Sequence, residues 1–244
     1  MLNNLGILLV VYGKSREATL FKKYLNDFFW VLGFILFFIL LKTTVVSFYL
    51  VPSTSMVPNI ASGDRILLNK LRYGLWLPFS EKPFLKWSHP KRGDIVLFKP
   101  PQENEVFVKR VIGVAGDKVS FYKGIISIND QQLSYSYLGN NPNPIIYQNS
   151  LMIEENRDLQ LSPHLILMSD VPSHTYLEQR TFVVPSHKVF VLGDNRDSSI
   201  DSRVFGFIDE DTLYGEAVFV LFSTTGNQSF FPEFRTERFF KSID

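Results

Sequence analysis

Residues Phe28 to Leu41 (FFWVLGFILFFILL) are apolar without interruption. Five Phe and one Trp in that run leave no polar side, which a surface helix of a water-soluble domain needs. A buried core helix is the competing reading, because fourteen residues rise only about 21 Å against a hydrocarbon layer of roughly 30 Å. Reading on through Lys42 to Phe48 gives 21 residues, enough to cross. Lys42 then lies at the far interface, its stem in lipid and its ammonium among the headgroups. The run predicts a transmembrane helix over residues 28–48 behind a tail, residues 1–27.

Flanking charge orients that helix. Lys14, Arg16, Lys22 and Lys23 precede it against Glu17 and Asp27, whereas after Lys42 the next basic residue is Arg65. The Lys/Arg excess places the N-terminal side in the cytoplasm and the bulk of the chain across the membrane. A cleavable signal peptide is the rival reading, but the span is late and no short small-residue cleavage site follows it. The run Leu5–Tyr12 is too short to cross and receives no assignment.

Composition narrows the chemistry. Lys and Arg number 25 against 24 Asp and Glu, a net charge of +1. That balance lacks the basic excess of a nucleic-acid binder, so no such partner is expected. The absence of cysteine removes disulfides, thiol nucleophiles and zinc–thiolate sites. The four histidines (His89, His164, His174, His187) form no His-x-x-x-His pair, and neither a metal nor a cofactor is expected.

Beyond the span the pattern turns to short β-branched and aromatic runs: Arg65–Asn69, Asp94–Phe98, Val106–Val114, Lys188–Leu192 and Ala217–Phe222. Gly63, Gly93, Pro100-Pro101, Gly116 and Gly193 punctuate them. The reading is a mostly antiparallel β fold of two sheets, or of one sheet plus an insertion, in which Ser134–Pro144 is an irregular loop.

Three polar segments can carry chemistry. In Pro52–Pro58, Ser53 and Ser55 occupy alternate positions of an extended, Pro-bounded stretch and project to one side. In Phe107–Ile112, Lys109 shares a strand face with Phe107 and Val111, and Arg110 faces the other way. The third is the loop Gly193–Arg203. Taken singly, each also reads as a serine turn, a snorkelling lysine or a loop of local ion pairs.

Taken in order, the segments carry more. Pro52-Ser-Thr-Ser-Met-x-Pro58, Val108-Lys-Arg-Val-Ile-Gly-x-x-Gly-Asp117 and Gly193-Asp-Asn-Arg-Asp-x-Ser-x-Asp-Ser-Arg203 stand behind a membrane anchor. With His89-Pro-Lys-Arg-Gly-Asp94, Phe205-Gly-Phe207 and Phe234-Arg-Thr-Glu-Arg238, the chain from about Thr43 onward resembles the bacterial type I signal peptidases, or leader peptidases. The resemblance implies an antiparallel β-sheet catalytic core, residues 49–117 and 188–244, around an inserted second β domain, residues 118–187. It implies a serine endopeptidase of the bacterial plasma membrane that cuts signal-peptide-bearing preproteins on the outer face.

By the same resemblance Ser55 is the nucleophile and Lys109 its base. Ser53 lines the oxyanion hole, Ser199 orients the lysine, and Arg110–Asp194 and Arg203–Asp201 are ion pairs bracing the site. Small side chains are favoured at the first and third positions before the cut, against walls from Met56, Ile60, Phe107 and Val108. Leu75–Phe79 around Trp76 is a candidate for contact with the lipid bilayer, and Phe230, Phe231, Phe234, Phe239 and Phe240 suit either that contact or packing in the core. Asn59, Ala115, Ser198 and Phe205 depart from the family's common residues, at positions expected to touch no group the mechanism requires. The base is physically demanding: a lysine with an ordinary pKa is neutral in only about one molecule in 2,500 at pH 7. Desolvation must lower it, with Phe107 and Val111 as walls. Two alternatives carry the same motifs: a processing peptidase dedicated to one secretion or conjugation system, and an inactive membrane-tethered module that binds exported peptides.

Overall fold

The computed structural model describes residues 2–76, 80, 83–101, 103–140, 150–155, 163–169, 179–225 and 233–243. The chain divides into two units, residues 1–43 and 44–244. The first is one helix, α1 (Leu2–Thr44). Within it, Lys22–Thr44 is 23 residues long, apolar enough by length and composition to cross a membrane, and not buried against protein.

The helix stops short of the expected Phe48. Lys42 lies in its last turn, where a cation suits the helix dipole, and Thr43 Oγ1 donates to the carbonyls of Ile39 (2.9 Å) and Leu40 (3.0 Å). Val46 then opens a strand. β-Branched and aromatic residues serve a lipid-facing helix and a strand equally well, and here the strand wins because Arg65–Asn69 pairs with it.

After β1 (Val46–Leu50) come β2 (Asp64–Asn69), β3 (Gly74–Leu75), β4 (Leu85–Lys86), β5 (Ile95–Phe98) and β6 (Phe107–Gly113). The insertion holds β7 (Lys118–Tyr122), β8 (Ile125–Ile128), β9 (Gln131–Gln132), β10 (Tyr135–Asn140), β11 (Ser150–Glu155), β12 (His164–Ser169) and β13 (Arg180–Val183). The chain returns through β14 (Lys188–Leu192), the four-residue helix α2 (Ser202–Phe205), β15 (Ile208–Asp209), β16 (Leu213–Ser223) and β17 (Lys241–Ser242).

The fold is mostly β. The main antiparallel sheet runs β1-β2-β16-β5-β6-β14-β15, with β17 added to β16. β16 serves β2, β5 and β17 in turn through three register shifts, and such bulges bend and twist a strand. The insertion forms a four-stranded sheet, β13-β7-β8-β9, and a three-stranded one, β10-β11-β12. It shares a core with the main sheet, where Ile112, Phe190 and Leu192 pack with Val119, Phe121 and Ile126. Two sequence readings change. Tyr135–Asn140, read as irregular loop, is a strand, and residues 141–144 lie outside the described residues. Trp76, read as a lipid-facing tip, is buried against Tyr214, and residues 77–79 lie outside the described residues.

Candidate active site

The connection between β1 and β2 is pinched at its base, where the Val51 N–H donates to Asp64 O (2.9 Å) and the Gly63 N–H to Val51 O (2.8 Å). Gly63 holds φ of +89°, and a Cβ there would lie 2.1 Å from Thr224 O, so only glycine closes this loop without a shift. The segment is a turn, not the extended stretch the Pro-bounded sequence predicts: Met56 and Ile60, four apart, are linked by an Ile60 N–H to Met56 O bond of 2.9 Å. Both side chains plug the core with Ile66, Leu68 and Val108. The two serines nevertheless meet, Ser53 Oγ lying 3.3 Å from Ser55 Oγ.

A strap from the C-terminal segment closes the same loop. Arg238 donates to Asp64 (Nε to Oδ1, 2.9 Å) and to Asn59 O (2.9 Å), and Arg235 donates to the carbonyls of Ser62 and Thr224. Asp64 is fully buried beneath them.

Lys109 reaches the loop from β6, held between β5 and β14. Its amine donates to Ser55 Oγ at 2.6 Å and to Val108 O at 3.1 Å, and sits 5.3 Å from the centroid of Phe107. Phe107 packs edge-on to Phe205 and beside Phe98, in the cluster that also holds Val111. This is the apolar face that strand alternation predicts. Burial of the amine pushes its pKa down to about 8, opposed by the charges of Asp201 and Asp194 and aided by Arg203.

The third segment arrives because β14 pairs with β6, Leu192 lying opposite Arg110. Asp194 then faces Arg110, which grips it in a fork (Nε–Oδ1 and Nη2–Oδ2, both 2.9 Å), and both side chains are about 1% exposed. Burial pushes the Asp194 carboxyl up, but Arg110 overrides it and holds the pKa below the usual range. Arg203 grips Asp201 the same way, at 2.7 Å twice, and Asp201 also accepts the Gly193 N–H (3.1 Å). Replacing Arg110 with alanine strands the Asp194 charge, and urea unfolding is expected to register a loss of about 3–5 kcal/mol.

Some expectations need moving. Ser199 Oγ is buried with no hydrogen-bond partner among the described residues; the lysine's second contact is the Val108 carbonyl instead. A cleft of about 220 Å³ opens beside Ser55 and Lys109, lined by these two with Pro52, Ser53, Phe107 and Ile200 among others. Of the four expected wall residues only Phe107 lies among these. Met56, Ile60 and Val108 belong to the core beneath, because the turn directs them inward. Asn59, expected to touch nothing the mechanism needs, donates from Nδ2 to Asp194 Oδ2 and to Leu165 O, each 2.7 Å away. Asn195 ties the third segment to the loop that carries Ser55, N–H to Ser55 O (3.0 Å) and Nδ2 to Thr54 O (3.2 Å). The partners of both lie far away in sequence, and only Asn195 stands inside one of the three motifs. Phe234 and Phe240 are exposed and Phe239 is partly so; Phe230 and Phe231 lie outside the described residues.

Residues 23–222 match the family model described as signal peptidase, peptidase S26. A signal peptidase I from Buchnera aphidicola subsp. Baizongia pistaciae is 34% identical over 86% of this chain and 78% of its own. One from Pseudomonas fluorescens is 30% identical over 88% of this chain and 77% of its own. A solved signal peptidase I from Enterococcus faecalis V583 is 26% identical, covers 53% of this chain and 97% of that one, and has a TM-score of 0.33.

Proposed function

The chain belongs to the signal peptidase family, peptidase S26, and from that premise we propose how its own residues perform the removal of signal peptides from exported proteins. Ser55 Oγ attacks the scissile carbonyl and Lys109, as the neutral amine, takes the hydroxyl proton. The observation that carries this reading is the 2.6 Å contact between a buried lysine and a serine that lines a cleft. With a pKa of about 8, about one Lys109 in eleven is neutral at pH 7, against one in roughly 2,500 for an ordinary lysine.

The tetrahedral oxyanion faces the Ser53 hydroxyl and the Ser55 backbone N–H; losing one such donor typically lowers turnover about 10²–10³-fold. The Lys109 ammonium returns its proton to the leaving amine, which departs as the new N-terminus of the mature protein. The amine then deprotonates the water that splits the acyl-enzyme. Arg110–Asp194 and Arg203–Asp201 brace the base and its strand. The narrow cleft favours small residues at the first and third positions before the cut.

Lys22–Thr44 anchors the enzyme with its N-terminus in the cytoplasm and residues 49–244 outside, as the flanking Lys and Arg residues direct. The nucleophile follows the last helical residue by only eleven positions. Catalysis is therefore tethered to the bilayer that holds the signal peptide, which raises the effective concentration of substrate.

The test is incubation of the full chain in detergent with a secretory precursor, followed by N-terminal sequencing of the product. Expected is one cut with small residues at the first and third positions before it; no cut, or cuts scattered without that pattern, overturns the reading. The rate carries a second signature. kcat/KM is expected to rise about tenfold per pH unit below pH 8 and to level above it, because the active form is the deprotonated amine. A flat profile from pH 6 to 9 excludes the lysine as base.

A further inference from the structure

Register places Tyr135, Glu155 and His164 directly opposite one another across β10, β11 and β12. The centre of that row is a carboxylate with no exposure at all. Arg196 enters from the third active-site segment and grips Glu155 in a fork, Nη1 to Oε1 at 2.8 Å and Nη2 to Oε2 at 2.5 Å. His164 Nε2 lies 3.1 Å from Oε2. All three side chains are sealed from water, at 0–1% exposure. Burial alone pushes the Glu155 carboxyl up; Arg196 and His164 override it and hold the group charged, far below the usual range.

We infer that Glu155, on the inserted sheet, is a positioning residue for the dyad: through Arg196 it sets the Gly193–Ser199 loop against Ser55. The inference rests on the Ser–Lys reading above. Arg196 is the hinge pin of that loop, donating from Nε to Gly193 O (3.2 Å) while its own carbonyl accepts Arg203 Nη2 (2.6 Å). One residue earlier, the Asn195 N–H holds the Ser55 carbonyl. The same sheet fastens the loop at two further points, the Leu167 N–H donating to Asp194 O (2.9 Å) and the Ser169 N–H to Asp197 Oδ2 (2.8 Å), and it also holds the Ser55 turn, where Leu165 O accepts from Asn59 (2.7 Å).

Physical chemistry favours a positioning role over a stabilising one. A buried ion pair is often no better for stability than apolar side chains of the same volume. What a planar two-pronged grip adds is direction, fixing the guanidinium plane and hence the chain that carries it. The loop so fixed covers the nucleophile turn, and Lys109 feels the charges of Asp201, Asp194 and Arg203 on the same segment, with Glu105 at the cleft. Slackening the grip lets the loop lift and water reach the amine.

The test is Glu155→Gln in the full-length protein in detergent, an isosteric change that removes the charge. Expected is a ten- to hundredfold fall in kcat with KM within about threefold, in line with the cost of small misplacements. The acidic limb of the pH profile is expected to move to higher pH as the Lys109 amine regains water. That limb is a readout that mere loss of stability does not move. A parental kcat and limb overturn the inference, and so does a fall in rate matched by the fraction unfolded with the limb unmoved. If Glu155→Gln does not fold, Arg196→Lys, which keeps the charge and loses the fork, is read by the same criteria. Ser55→Ala measured alongside separates the two claims: cleavage by that variant removes the Ser–Lys reading itself, whereas its inactivity beside a fully active Glu155→Gln removes only the positioning role.

Discussion

Replacing Lys109 with methionine is expected to lower kcat for precursor cleavage by about 10⁴-fold or more, the cost of removing one member of a nucleophile–base unit. Methionine keeps the length and apolar stem that pack on Phe107 and lacks only the amine. The fold therefore has no reason to suffer: the substitution relieves the desolvation that depresses the lysine's pKa. Thermal unfolding is expected at or above the parental midpoint while cleavage disappears. Lys109→Arg is expected to be equally inactive, because a guanidinium cannot serve as a base near neutral pH. Ser55→Ala combined with Lys109→Met is expected to be no slower than either alone, since the two act as one unit. The check is single-turnover cleavage of a purified precursor; substantial activity in either single variant overturns the dyad.

The second large effect comes from a position with no chemistry of its own. A Cβ on Gly193 would lie 2.2 Å from Ser199 Oγ, 2.6 Å from Ser199 Cβ and 2.5 Å from the Ser55 carbonyl oxygen. One of those neighbours is the backbone of Ser55 itself, so a methyl group there must push the third segment off the Ser55 turn. Displacements of about 1 Å at a reacting pair cost on the order of 10²-fold, and Gly193→Ala is expected to lose about 10²–10³-fold in kcat. Glycine is needed for space here and not for a left-handed backbone, so Gly193→Ala is expected to fold, with a lowered midpoint, and to retain its β-sheet circular dichroism. Full activity in that variant contradicts the packing of the Gly193–Ser199 loop on Ser55.

How far the sequence reached depends on the range of the interactions involved. Strands such as Ile95–Phe98 and Lys188–Leu192 are legible because β-branched runs between turn residues are local signals. Ser55, Lys109, Asp194 and Arg203 were legible through three ordered motifs, and the strand period alone put Lys109 on the Phe107 face. The end of α1 was not, because Val45 to Tyr49 suits lipid and sheet alike and only pairing with Arg65–Asn69 decides it. Met56 and Ile60 were misplaced because a short turn reverses the facing that extended backbone gives. Asn59 and Glu155 stayed hidden for a different reason: their partners Leu165, Asp194 and Arg196 lie 41 to 135 residues away, beyond any local pattern.

The strap of Arg235 and Arg238 over the loop that carries Ser55 has a consequence in time. These arginines are synthesised about 180 residues after Ser55, a delay of about 10–40 s at ordinary rates of translation. For the last 126 residues of that interval the growing chain carries both Ser55 and Lys109 but not the clasp on Asp64, the carboxylate at the foot of the serine's loop. A chain lacking Arg235 and Arg238 has no clasp on this loop, and the loop is closed only once those two residues have left the ribosome.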